Sequence, residues 1–67
     1  MTYRTIQDRI EEFDTLGRQA SFHYADDRGK EWSQAKTLEA QARALFDQHP
    51  DLQKQMRELA RGFLWTL

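Results

Sequence analysis

The chain predicts an all-α fold: a small three-helix bundle in which a long N-terminal helix is followed by two helices joined at a proline corner. Three observations predict it. Apolar residues recur at steps of three and four along nearly the whole chain, the spacing that lines one face of a helix. A charged break, Ala25-Asp26-Asp27-Arg28-Gly29-Lys30, interrupts the first periodic run. Pro50, the only proline, sits where a second run stops and a third begins. The expected helices cover about residues 4–25, 30–48 and 50–65 of one helical domain, 1–67.

In the first segment Tyr3, Ile6, Ile10, Phe13, Gly17, Ala20 and Tyr24 fall within a sector of about 100° on a helical wheel, with Leu16 at its edge. Thr5 followed by Asp8 resembles a capping box, which places the start between Thr2 and Thr5. Gly17 lies inside the apolar stripe, where glycine costs about 1 kcal/mol relative to alanine. With Ala20 one turn later it makes a shallow notch. Such a notch suits a close helix crossing, self-pairing of two copies, or a groove that receives a partner's side chain; a merely tolerated glycine is the plain alternative. Phe22 points almost opposite the stripe, as an isolated exposed aromatic or as part of a contact surface.

The break at residues 25–30 has turn-forming character, and Asp26 or Asp27 is suited to cap the next helix. A short connection makes the flanking helices antiparallel neighbours. His23 precedes Asp26 and Asp27 by three and four residues, but without a third committed ligand this reads as solvated polar surface rather than a metal site. The second helix buries Trp32, Ala35, Leu38, Ala42, Leu45 and Phe46, its alanines permitting close packing near Gly17. Trp32 is expected as a lid over the open end of the core, beside Tyr24. Glu39 and Arg43 form a local i,i+4 pair.

At the corner, Pro50 opens the third helix, where its missing N–H costs nothing. His49 takes the cap position, Gln48 ends the preceding helix, and Asp51 brings a carboxylate to the positive helix end. Leu52, Met56, Leu59, Ala60, Phe63 and Leu67 form one face of the third helix; Lys54, Arg57, Arg61 and Trp65 line up opposite, with Leu64 on the border. Basic groups beside an aromatic suit a contact with phosphates or with an acidic protein surface. In the plainer reading Arg61 pairs with Glu58 and Lys54 with Asp51 on a solvated face. The stretch from Gly62 to Leu67 is apolar all round, so it packs back on helix one or meets another chain.

Sixty-seven residues make at most one domain, whose core supplies only roughly 3–5 kcal/mol. Association into a homodimer is therefore expected, with Gly17, Ala20 and Leu67 as the self-association residues. The absence of cysteine removes disulfides, thiol nucleophiles and cysteine-ligated zinc. No apolar run approaches the roughly 18 residues of a membrane span, and the N-terminal residues lack the apolar core of a signal peptide, so a cytoplasmic protein without a membrane role is expected. The net charge of −1 does not announce nucleic acid. Charge is uneven, however: residues 3–27 hold six acids against three arginines, and residues 51–67 three bases against two acids.

Catalysis finds little support. Ser21, Ser33 and the threonines are the only nucleophile candidates, neither His23 nor His49 has a motif context as their base, and the three glycines form no phosphate loop. No cofactor is implied. The expected function is a small non-enzymatic protein-binding module, a regulator or inhibitor of another protein, docking through Phe22, Lys54, Arg57, Arg61, Leu64 and Trp65. The alternatives are a helix-turn-helix-like nucleic-acid binder using Lys54, Arg57 and Arg61, against which stand a turn without glycine and few cations, and a structural subunit of a larger assembly.

Overall fold

A computed structural model of the chain, describing residues 3–26 and 32–67, is an all-α bundle of three helices with no strand among those residues. Helix α1 runs Tyr3–Asp26, α2 Trp32–Gln48 and α3 Gln53–Ala60, with a single 3-10 turn, Pro50–Leu52, between α2 and α3. Asp27 as a cap, and the expected start of the second helix at Lys30, lie outside the described residues.

Helices α1 and α2 pack along each other through small residues. Ala20 of α1 and Ala35 and Ala42 of α2 are fully buried. Alanine keeps full helix propensity while letting two backbones approach, so this seam costs the helices nothing. Around it Phe13, Leu45, Leu52, Met56, Phe63 and Trp65 complete the core, with Ile6, Ile10, Leu16, Leu38, Leu59 and Leu67 packed at its margin.

The corner forms as its residues dictate. Proline disfavours helical geometry in the residue before it, and His49 has φ −127° and ψ 71°, outside the helical region. Its amide still closes the last turn of α2 on the Leu45 carbonyl at 3.2 Å, and its carbonyl accepts from Leu52 N–H at 2.9 Å. His49 caps through its backbone only; its side chain makes no capping hydrogen bond. The Gln53 side-chain amide donates to the Phe46 carbonyl at 3.1 Å, satisfying a C-terminal carbonyl of α2 and tying α3 to it.

The third helix is shorter than its periodicity predicts, ending at Ala60 instead of residue 65. Its end tightens through i→i+3 bonds from Arg61, Gly62 and Phe63 to the carbonyls of Glu58, Leu59 and Ala60. Gly62 is a poor helix former, and two aromatics follow it within three residues. Those rings gain more by turning onto α1 than by continuing the helix into solvent.

This tail, residues 61–67, closes the core. The Phe63 ring lies against Gly17, so close that a Cβ there would sit 2.0 Å from its Cε2 atom. Phe63 and Trp65 stack with centroids 5.3 Å apart, and both meet Phe13, at 5.8 Å and 6.5 Å. Aromatic pairs in such offset and edge geometries contribute about 0.5–1.5 kcal/mol beyond the area they bury. The indole N–H of Trp65 donates to the Gly17 carbonyl at 3.1 Å, so the one polar atom of this buried ring is satisfied.

Ser21 and Arg43 hold the tail from outside. The Ser21 hydroxyl donates to the Gly17 carbonyl at 2.9 Å and accepts from Leu64 N–H at 2.8 Å. The Arg43 guanidinium lies over the Trp65 ring, 5.3 Å from its centroid, and donates to the Thr66 carbonyl. Glu39 orients it, accepting from Arg43 Nε at 2.9 Å on one carboxylate oxygen and from the Tyr24 hydroxyl at 2.7 Å on the other. The hydrogen bond to the Glu39 carboxylate raises the Tyr24 pKa above its ordinary value. Burial pushes Glu39 upward, but the hydrogen bonds from Tyr24 and Arg43 outweigh it and leave its pKa lowered.

This packing corrects the expectations for Trp65 and Trp32 and fills the Gly17 notch. Trp65 does not share an exposed face with Lys54, Arg57 and Arg61; it is 8% exposed, because the helix that would have carried it outward ends five residues earlier. The Gly17 notch receives Phe63 of the same chain. Of the residues expected to self-associate, Gly17 and Ala20 are buried within the chain and Leu67 lies half-buried on the core margin. Trp32 meets Tyr24 edge-on at 6.3 Å, as its position implied, but stays half exposed rather than closing the core as a lid.

Candidate functional site

Two surfaces remain once the core is closed. The first is a groove between α1 and α2, of about 690 Å³ and lined by those two helices alone. Phe22, 65% exposed, projects into it from α1 with Arg18 and His23, while Gln34, Thr37 and Leu38 form the α2 side. Phe22 stands here because it falls opposite the stripe that buries Phe13 and Ala20. Its ring meets His23 edge-on at 6.0 Å. Arg18 is held back along α1 by Asp14, whose carboxylate accepts from Nε at 2.9 Å. The groove thus presents an apolar ring and a leucine bordered by neutral amides and hydroxyls, with its one arginine already paired.

The second surface is the outer face of α3. Lys54, Arg57 and Arg61 stand at i, i+3 and i+7 and surround a shallow depression of about 330 Å³ with Gln53 and Glu58. The expected pairs of Lys54 with Asp51 and Arg61 with Glu58 are not formed: among the described residues the ion pairs are Arg9–Glu12, Arg18–Asp14 and Arg43–Glu39. The Arg57 guanidinium instead lies over the Phe46 ring, 5.4 Å from its centroid. Arg57 and Arg61 also border an adjoining depression of about 440 Å³, whose walls include Phe46, Ala60, Trp65 and Leu67.

Of the residues singled out in the sequence, Lys54, Arg57 and Arg61 are brought together, and Phe22 and Leu64 are exposed. Leu64, 63% exposed, is fixed by its own amide on Ser21 while its side chain faces solvent. Trp65 leaves the exposed set. Phe46 and Leu67 enter beside the basic stripe, and Leu38 enters with Phe22. Helical periodicity marked Leu38 and Phe46 only as core, and Leu67 as core face and self-association residue; all three are half-buried in the structure.

Among the described residues no group of three or more His, Cys, Asp or Glu side chains is placed to hold a metal ion, and no helix is long and apolar enough to cross a membrane. Ser21, a nucleophile candidate by residue type, has its hydroxyl engaged in anchoring the tail. Comparison with family models, with curated proteins and with solved structures gives no match to this chain.

Proposed function

We propose that this chain is a small non-enzymatic protein-binding module that regulates or inhibits a partner protein by docking on it. The observation that carries the reading is the exposed apolar surface left after the core has taken what it needs. Phe63 and Trp65 serve the core, yet Phe22 and Leu64 remain largely in solvent. A solvent-facing phenylalanine in a groove of its own costs free energy in the lone chain and is recovered only when something covers it. Aromatic anchors seated in such depressions are the usual centres of interface affinity. The groove offers neutral polar groups for register and no cluster of catalytic groups.

The test is capture on the tagged protein from a cell lysate, with and without nuclease, comparing wild type with Phe22→Ser and Leu64→Ser. A protein retained by wild type after nuclease treatment and lost with Phe22→Ser supports docking through the groove. Retention that is indifferent to both substitutions removes the reading.

A further inference from the structure

We propose that the outer face of α3 is a separate docking surface for an acidic amphipathic segment of a partner protein. In this arrangement carboxylates engage Lys54, Arg57 and Arg61, and one apolar side chain of the segment sits in the depression bordered by Phe46, Ala60 and Leu67.

Charge complementarity identifies the occupant. The three cations lie within about two turns, roughly 10 Å along the helix axis, and among the described residues none of them makes an ion pair. Glu58 lines their depression and, with Asp51 and Lys54, a neighbouring hollow, which leaves a stripe of three cations against two acids, net +1, on a chain of net charge −1. A partner helix with acids at the same i, i+3/i+4, i+7 spacing matches this stripe group for group. Arginine guanidinium planes bind carboxylates through two parallel hydrogen bonds, and Arg57 is already oriented by the Phe46 ring beneath it.

The adjoining depression decides between an acidic protein segment and a nucleic acid. Arg57 and Arg61 border both hollows, so a ligand held by its charge on these arginines lies directly beside an apolar wall. A duplex keeps its bases stacked inside and presents no apolar group to that wall, whereas a leucine or phenylalanine one turn from a glutamate does; a single strand could stack a base there, which the oligonucleotide probes test. Three cations are also few for a nucleic-acid polyanion, giving a salt dependence of only about −2.7 in logarithmic slope. The wall is preorganised: Trp65 is stacked on Phe63 and covered by Arg43, so little side-chain freedom is lost when the hollow is filled.

The experiment is fluorescence anisotropy with the full chain and a labelled, synthetic Glu-rich helical peptide carrying leucines along one face. The same peptide with serines for leucines, and single-stranded and duplex oligodeoxynucleotides, serve as comparison probes. The expected result is binding that weakens as salt rises, about tenfold weaker for the serine peptide. The Lys54→Glu, Arg57→Glu, Arg61→Glu triple variant should lose about 8- to 125-fold, from three exposed pairs worth roughly 2- to 5-fold each. If that variant loses its helical circular dichroism, Lys54→Glu alone provides the reading, since this exposed side chain supports no other part of the fold, and a 2- to 5-fold loss is expected. Phe22→Ser should leave peptide affinity unchanged, so failure of the groove reading and failure of this one are separable. No binding of the leucine peptide, equal binding of the two peptides, or tighter binding of an oligonucleotide would each overturn the proposal. So would self-association of the chain through these residues that the peptide does not displace.

Discussion

Replacing Gly17 with alanine isolates the contact on which the tail depends. By helix propensity alone the change stabilises, since alanine is favoured over glycine in a helix interior by about 1 kcal/mol. In place, the new Cβ would lie 2.0, 2.2 and 2.7 Å from Cε2, Cζ and Cδ2 of Phe63. Carbon atoms rest about 3.5–4.0 Å apart, so the ring has to retreat by about 1.5 Å. It has little room to do so, being stacked on Trp65 and tilted against Phe13, both buried. Overpacking of this kind costs about 1–3 kcal/mol, and outright loss of a buried Phe about 3–5 kcal/mol. Set against the propensity gain of about 1 kcal/mol, the net expectation is a loss of about 0–4 kcal/mol. For a chain of this size each kcal/mol lost lowers the melting temperature by about 4–8 °C, followed by circular dichroism in thermal and urea unfolding. The control is the same substitution in a Phe63→Ala background. There the clash is gone, and alanine should stabilise by up to about 1 kcal/mol, so the effect changes sign. A Gly17→Ala protein that melts higher than wild type would refute the placement of Phe63 on α1.

Other perturbations probe the remaining contacts. Phe13→Ala removes a fully buried ring that touches both tail aromatics and should cost about 3–5 kcal/mol, close to the whole stability of so small a core, whereas Leu59→Ala, at the half-buried margin, should cost less; urea melts of the two variants compare them. The Glu39 carboxylate, with its lowered folded pKa, contributes stability that is present above its unfolded value near 4.5 and lost as pH falls through the folded value; Glu39→Gln should flatten the acid limb of a melting-temperature profile. Tyr24, with its raised pKa, behaves oppositely: its contribution is full below its unfolded value of 10.0 and fades as pH rises through the folded one, and Tyr24→Phe should flatten the alkaline limb. Phe22→Ser should leave the melting temperature within the range of an ordinary surface change, about ±0.5 kcal/mol, while abolishing partner capture.

Much of the fold was legible because helical amphipathicity is a local property. The stripe from Ile6 through Phe13 to Ala20 and Tyr24 identified α1 and its buried face without reference to anything else in the chain. Pro50 placed the corner for an equally local reason, its effect on the residue before it and its missing N–H. Of the surfaces, Phe22 was readable as a misfit against its own helix's stripe, and Lys54, Arg57 and Arg61 as a period-matched set. The Gly17 notch was readable too, together with the excess of apolar residues after Gly62.

What the pattern did not contain was the pairing of those last two features. Trp65 falls in register with Arg57 and Arg61 only if α3 continues, and a helical wheel assumes that it does. Gly62 disfavours continuing the helix by only about 1 kcal/mol, less than burial of the two aromatics contributes. The choice is made by contacts of Phe63, Leu64 and Trp65 with Gly17, Ser21 and Arg43, between 22 and 48 residues away along the chain. The sequence by itself therefore determined the helices, their buried faces and the corner, since each follows from residues within a few turns of one another. Only the tertiary structure decided that Trp65 is core rather than surface, that the notch is filled from within, and that Phe46 and Leu67 border the basic stripe. Each of those outcomes depends on burying aromatic area across distant segments, a gain that no local spacing records.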